Sequence, residues 1–179
     1  DFGIYSMFGL FGLTASGFFS IGIMHASYRY YFELKDNDID KFKRLNFSNI
    51  IFLLTIFLVG FLLILLSKDF LLNIFFKGNI SSFIYYTSFI AGAITYLVDY
   101  HLLLLTAYKR SLFYAFFTIL RPILILIITF ILFHNIESSI FAIILGYTSS
   151  VSLLLLLIVI SSIQQYSPHY SSKYVKESL

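Results

Sequence analysis

The sequence predicts an all-α protein: a polytopic transmembrane helix bundle of about five spanning helices. Three observations lead there. Hydrophobic residues make up 59 % of the chain and aromatic ones 20 %, against 12 % charged, more apolar surface than a soluble domain can hide. Apolar runs close to the roughly 20 residues that a spanning helix needs recur along the chain, with short polar breaks between them. Residues 153–160 read LLLLLIVI, without the alternating polarity that a membrane β-barrel strand requires.

The chain reads as one transmembrane unit over 1–179, with spans at 3–24, 48–67, 82–106, 112–133 and 139–161. A charged loop fills 28–46, loops at 68–81 and 134–138 lie on the opposite side, Lys109 and Arg110 mark a tight turn, and 162–179 is a polar tail. In the first span Gly12, Ser16 and Ser20 form a ladder of small residues, as Ala142, Gly146 and Ser150 do in the fifth. Such ladders let helix backbones approach closely, so packing is their expected role. Little besides Asn49, Thr55 and Gly60 interrupts the apolar 48–67 span, which is expected to be the most lipid-exposed.

Basic residues orient the bundle, because short cytoplasmic loops carry the positive excess. Arg29, Lys35, Lys41, Lys43, Arg44, Lys109, Arg110, Lys173 and Lys176 fall on one side, and only Lys68 and Lys77 on the other. The C-terminal end is therefore expected in the cytoplasm and, with an odd number of spans, Asp1 outside. There is no Trp, so Tyr28, Tyr30, Tyr31 and Tyr108 are the candidates for an interfacial aromatic belt.

Several chemistries find no support. The chain has no cysteine, which removes disulfides and thiolate metal sites. A net charge of +3, scattered along the chain, does not suggest a nucleic-acid partner. Asp36, Asp38 and Asp40 have the spacing that opens a calcium loop, but Lys41 and Phe47 stand where that loop needs Gly and Glu. No paired-carboxylate, nucleophile–base or metal constellation is visible, so neither an enzyme nor a cofactor is expected.

The informative residues are polar ones inside the spans. Tyr85, Ser88, Gly92, Thr95, Asp99 and Thr106 are spaced 3, 4, 3, 4 and 7 apart, which places them on one face of the third helix. His101 lies about 200° round from Asp99 and reads as a hydrogen-bonded packing residue. On the fourth helix Ser111, Tyr114, Thr118 and Arg121 repeat the pattern at spacings 3, 4 and 3. Pro122 follows, and its missing N–H should free the Thr118 carbonyl and kink the helix.

Asp99 and Arg121 are each eleven residues from Arg110. At 1.5 Å per residue both fall about 16 Å from the turn, near the middle of the hydrocarbon core. Ionisable groups at that depth usually face a bundle interior or an aqueous cavity. Two readings follow: a structural ion pair, or a transport pathway lined by Asp99, Arg121, Thr95, Ser88, Thr118 and Tyr114. In the second, Arg121 meets an anionic ligand and Asp99 serves as counter-ion or proton site.

Phe2-Gly3-Ile4-Tyr5-Ser6, at the mouth of a Gly-rich helix, resembles the opening of the second helix in polysaccharide flippases. These are the O-antigen and capsule exporters of the MOP superfamily, which also holds the multidrug MATE transporters. The helix exit Ala26-Ser27-Tyr28-Arg29-Tyr30-Tyr31, the turn Ala107-Tyr108-Lys109-Arg110 and the amphipathic tail Lys173–Leu179 resemble them too. The resemblance runs the length of the chain, as helices two to six of twelve or more. It implies part of the N-terminal lobe of a bacterial inner-membrane protein, whose first helix and C-terminal lobe lie outside this sequence. It further implies two lobes around a partly cationic cavity and coupling to H+ or Na+. The implied substrate is an undecaprenyl-diphosphate-linked oligosaccharide moved by alternating access during polysaccharide biosynthesis. Rival readings are a membrane-embedded glycan polymerase of the same pathway and drug efflux on the same fold. Small outer loops argue against the first, and an arginine inside a span argues against a cavity for cationic drugs.

Overall fold

A computed structural model of the chain describes residues 2–20, 22–35, 38–70, 73, 81–136, 139–162 and 166. They form α1 (Phe2–Ser20), α2 (Ile23–Leu34), α3 (Ile39–Leu66), α4 (Ser82–Ala107), α5 (Ser111–Asn135) and α6 (Ser139–Ser162). No strand occurs among the described residues, and the architecture is the all-α helix bundle expected. Most of the 162–179 tail, residues 71–72 and 74–80 of the 68–81 loop, residues 137–138, and Asp36 lie outside the described residues.

Four helices, α3, α4, α5 and α6, are long and apolar enough to cross a membrane, which makes this a membrane protein in contact with lipid. The span expected over 3–24 is divided. Its first part is α1, 19 residues long and not among those four. Gly22 then takes a left-handed φ of 72°, which glycine adopts without steric penalty, and α2 starts afresh at Ile23.

The charged loop expected over 28–46 is mainly helix. α2 continues to Leu34 and α3 begins at Ile39, where the Asp38 side chain caps it by accepting from the Lys41 backbone N–H at 2.9 Å. Charge density misleads here because the charges occupy outer faces, paired as Arg29–Glu33 at 3.2 Å and Asp40–Lys43 at 3.5 Å. The inner faces bury Ile23 and Ser27 of α2 and Phe42, Leu45, Asn46 and Asn49 of α3 at helical spacing. With 28 residues, α3 is about 42 Å long, so its charged first turns extend beyond a core about 30 Å thick.

α4 is the hub and packs against α1, α2, α3, α5 and α6. Two-thirds of its spanning window (67 %) is buried, against 28 % for α3 and 6 % for α5. The most exposed span is thus α5 and not the 48–67 region. Leu126 and Phe130 of α5 point outward, and α5 rests mainly on α6. Sequence cannot separate these cases, because lipid-facing and protein-facing positions are equally apolar.

Small residues set the closest crossings. A Cβ on Gly92 would collide with the Gly12 backbone, and one on Gly12 with the Ser88 carbonyl, so α1 and α4 touch main chain to main chain. The side chains of Ser16 and Ser20, the other rungs of that ladder, lie outside the described residues. On α6, Ala142, Gly146 and Ser150 are buried; Gly146 abuts Thr129 of α5, and Ser150 Oγ donates to the Leu124 carbonyl at 3.1 Å. Pro122 sits inside α5, which runs unbroken from Ser111 to Asn135.

Candidate functional site

Arg121 of α5 donates from Nη1 to Oδ1 of Asp99 on α4 at 3.0 Å. The hairpin geometry predicted from equal distances to Arg110 is therefore realised. Neither side chain is sealed: Arg121 is 26 % exposed and Asp99 46 %. Both groups sit in mid-helix, so the pair opens sideways at a depth where bare hydrocarbon is a poor solvent for charge.

The two polar stripes do not face each other along their length. On α4, Ser88 and Thr95 turn toward α1 and α6: Ser88 Oγ donates to the Phe8 carbonyl, and Thr95 Oγ1 lies 3.0 Å from Tyr147 Oη. Thr106 bonds within its own helix, to the Leu103 carbonyl. On α5, Ser111, Tyr114 and Thr118 are exposed, and Thr118 donates to the Tyr114 carbonyl. Of the six pathway candidates, the structure joins only Asp99 and Arg121 to each other. Ser88 and Thr95 act as helix-to-helix contacts, while Tyr114 and Thr118 prolong an exposed polar strip leading to Arg121. That separation has a simple cause: α5 rests mainly on α6, and α4 spreads its faces over several helices.

A second polar cluster escaped the sequence reading. Ser27 of α2, Asn46 and Asn49 of α3 and Tyr100 of α4 are all fully buried. Tyr100 Oη reaches Asn46 Oδ1 and, at 3.1 Å, Ser27 Oγ, which also accepts from Asn49 Nδ2 at 2.8 Å. The available signal was Asn46 and Asn49 three residues apart, hence on one helix face, but the charged neighbours of Asn46 placed it in a supposed loop. His101, next to Tyr100, is buried with Nδ1 at 2.6 Å from the Leu97 carbonyl, the packing role its angle suggested.

Tyr31, Phe42 and Tyr108 close this end of the bundle, with ring centroids 4.8 Å apart for Tyr31–Tyr108 and 5.3 Å for Tyr31–Phe42. Burial raises the Tyr108 phenol above its ordinary pKa. No group of three or more His, Cys, Asp or Glu side chains able to hold a metal occurs among the described residues. No protein-family model, curated protein or solved structure matches this chain.

Proposed function

We propose that this chain works within a membrane transporter that moves a lipid-linked, anionic oligosaccharide across the bacterial inner membrane by alternating access. The observation that carries this reading is the Asp99–Arg121 pair, 3.0 Å apart and partly exposed at mid-span. An ion pair open to its surroundings at that depth favours a polar cavity beside α4 and α5 over direct contact with lipid chains. Guanidinium matches the geometry of phosphate oxygens, which suits Arg121 to the diphosphate of such a carrier lipid. The oligosaccharide and the inner-membrane setting come from the flippase resemblance, and the basic residues at the α2–α3 and α4–α5 turns support a cytoplasmic location for that end.

The test is deletion of the full-length gene followed by examination of the glycolipids. Lipid-linked repeat units should accumulate on the inner leaflet. Unpolymerised units on the outer face would instead identify a polymerase and overturn the proposal.

A further inference from the structure

Between α1 and α6, floored by α4, lies a half-open cleft of about 290 Å3. Tyr5, Gly9 and Gly12 of α1, Gly92 and Thr95 of α4 and Tyr147 of α6 are among its lining residues. α1 and α6 meet in its lining through an edge-on contact of the Phe8 and Tyr147 rings, centroids 6.2 Å apart. From this geometry we infer that the cleft is a binding site for a hydrocarbon chain of a membrane lipid. The inference does not rest on the Asp99–Arg121 pair, neither member of which lines the cleft, although Ser88 and Thr95 do.

Depth is the first reason. Ser88 to Thr95 on the floor lie about 9 to 20 Å along α4 from its N-terminal end, within the span of a hydrocarbon core about 30 Å thick. An open cleft at that level that carries no charge, unlike the Asp99–Arg121 opening, is accessible to the surrounding hydrocarbon chains. Charge complementarity is the second reason. Among the described residues, no Asp, Glu, Lys, Arg or His lines the cleft. The hydroxyls on the floor and on α6 are already engaged, Ser88 with the Phe8 carbonyl and Thr95 with Tyr147, while those of Tyr5 and Ser6 line the α1 side. An uncharged lining whose floor hydroxyls are satisfied does not attract a charged ligand and penalises an apolar one little at the floor.

Shape is the third reason. Gly12 and Gly92 have no room for a Cβ, because the α1 and α4 backbones meet there. At Gly9, in the same lining, a Cβ would find nothing within 4 Å. The cleft is therefore tight at Gly12 and Gly92 and open at Gly9. Its volume lies at the lower edge of ligand pockets, which begin near about 300 Å3, and it suits a segment of one chain rather than a whole lipid.

The test reconstitutes the full-length protein in phosphatidylcholine vesicles containing phosphatidylcholine with a diazirine at one acyl terminus. After illumination, adducts are mapped by mass spectrometry. Adducts should appear on Gly9 to Leu13 and on Tyr147, and also on Leu126 and Phe130 of the outward face of α5. Gly9→Leu, which fills the slot, should lower the Tyr147 adduct several-fold and leave the α5 adducts unchanged. Absence of adducts at Tyr147 in the wild-type protein, or adducts insensitive to Gly9→Leu, would overturn the inference. Gly9→Cys gives a second reading, with labelling located by mass spectrometry, because residues 1–179 contain no other cysteine. A membrane-impermeant maleimide should leave it unlabelled, and rapid labelling would show a water-filled cleft and sink the proposal.

Discussion

Arg121 and Asp99 meet at 3.0 Å in mid-span, beside an apolar cluster that holds Val98, Leu102 and Leu105 of α4 and Phe117 of α5. The ion pair is thus a polar tie across the α4–α5 hairpin, and it is partly open to the outside.

Asp99→Asn and Arg121→Ala should each abolish transport while leaving membrane insertion intact. Removing Arg121 leaves an unpaired carboxylate in a span, a penalty of about 3 kcal/mol on insertion scales, which the rest of α4 can carry. Exchanging the charges, Asp99→Arg with Arg121→Asp, separates structure from function. The exchanged pair should recover thermal stability yet stay inactive in a glycolipid translocation assay. Wild-type translocation by both single variants would refute a transport role for the pair.

Gly92→Ala should destabilise the bundle by about 1–3 kcal/mol, because its Cβ meets the Gly12 backbone, which cannot yield as a flexible side chain would. Gly3→Ala, where a Cβ meets nothing within 4 Å, is the matched control and should be neutral or slightly stabilising. Thermal unfolding of the two variants in the same detergent distinguishes them. Equal melting temperatures would mean that α1 and α4 do not cross at Gly12 and Gly92.

Tyr100→Phe keeps the ring and removes the hydroxyl that reaches Asn46 and Ser27. It leaves a buried amide oxygen short of this partner, at a cost of about 1–3 kcal/mol. Adding Asn46→Leu removes the stranded acceptor as well, so the double variant should be less destabilised than the two single effects summed. Additive effects would show that the two groups do not interact.

Tyr108 predicts an alkaline limit to stability. Burial first, and the neighbouring Tyr31 second, raise its pKa above the ordinary tyrosine value of 10.0. The neutral phenol is therefore favoured in the folded state. Its contribution is complete below about pH 10 and is lost as the pH climbs from there toward the folded pKa. Tyr108→Phe should flatten the fall in melting temperature above pH 10 relative to the wild type, with little change at pH 7.

The membrane class, the helical content and the register of Asp99 with Arg121 were all readable from the sequence. Composition sets the solvent, a 3.6-residue period assigns faces, and equal counts from one tight turn fix equal depth. The break at Gly22 and the helical nature of 28–46 were not readable, because a charged segment forms helix whenever its inner face finds something to pack on. That something, α4 against Phe42, Asn46 and Asn49, is remote in sequence. The helical period also could not say which neighbour each face meets. It put Ser88, Thr95 and Asp99 on one stripe, and the tertiary structure sent the first two to α1 and α6 and the third to α5. In a membrane the polarity contrast that separates inside from outside in water is missing, so which apolar helix is hub and which is rim is decided by packing alone.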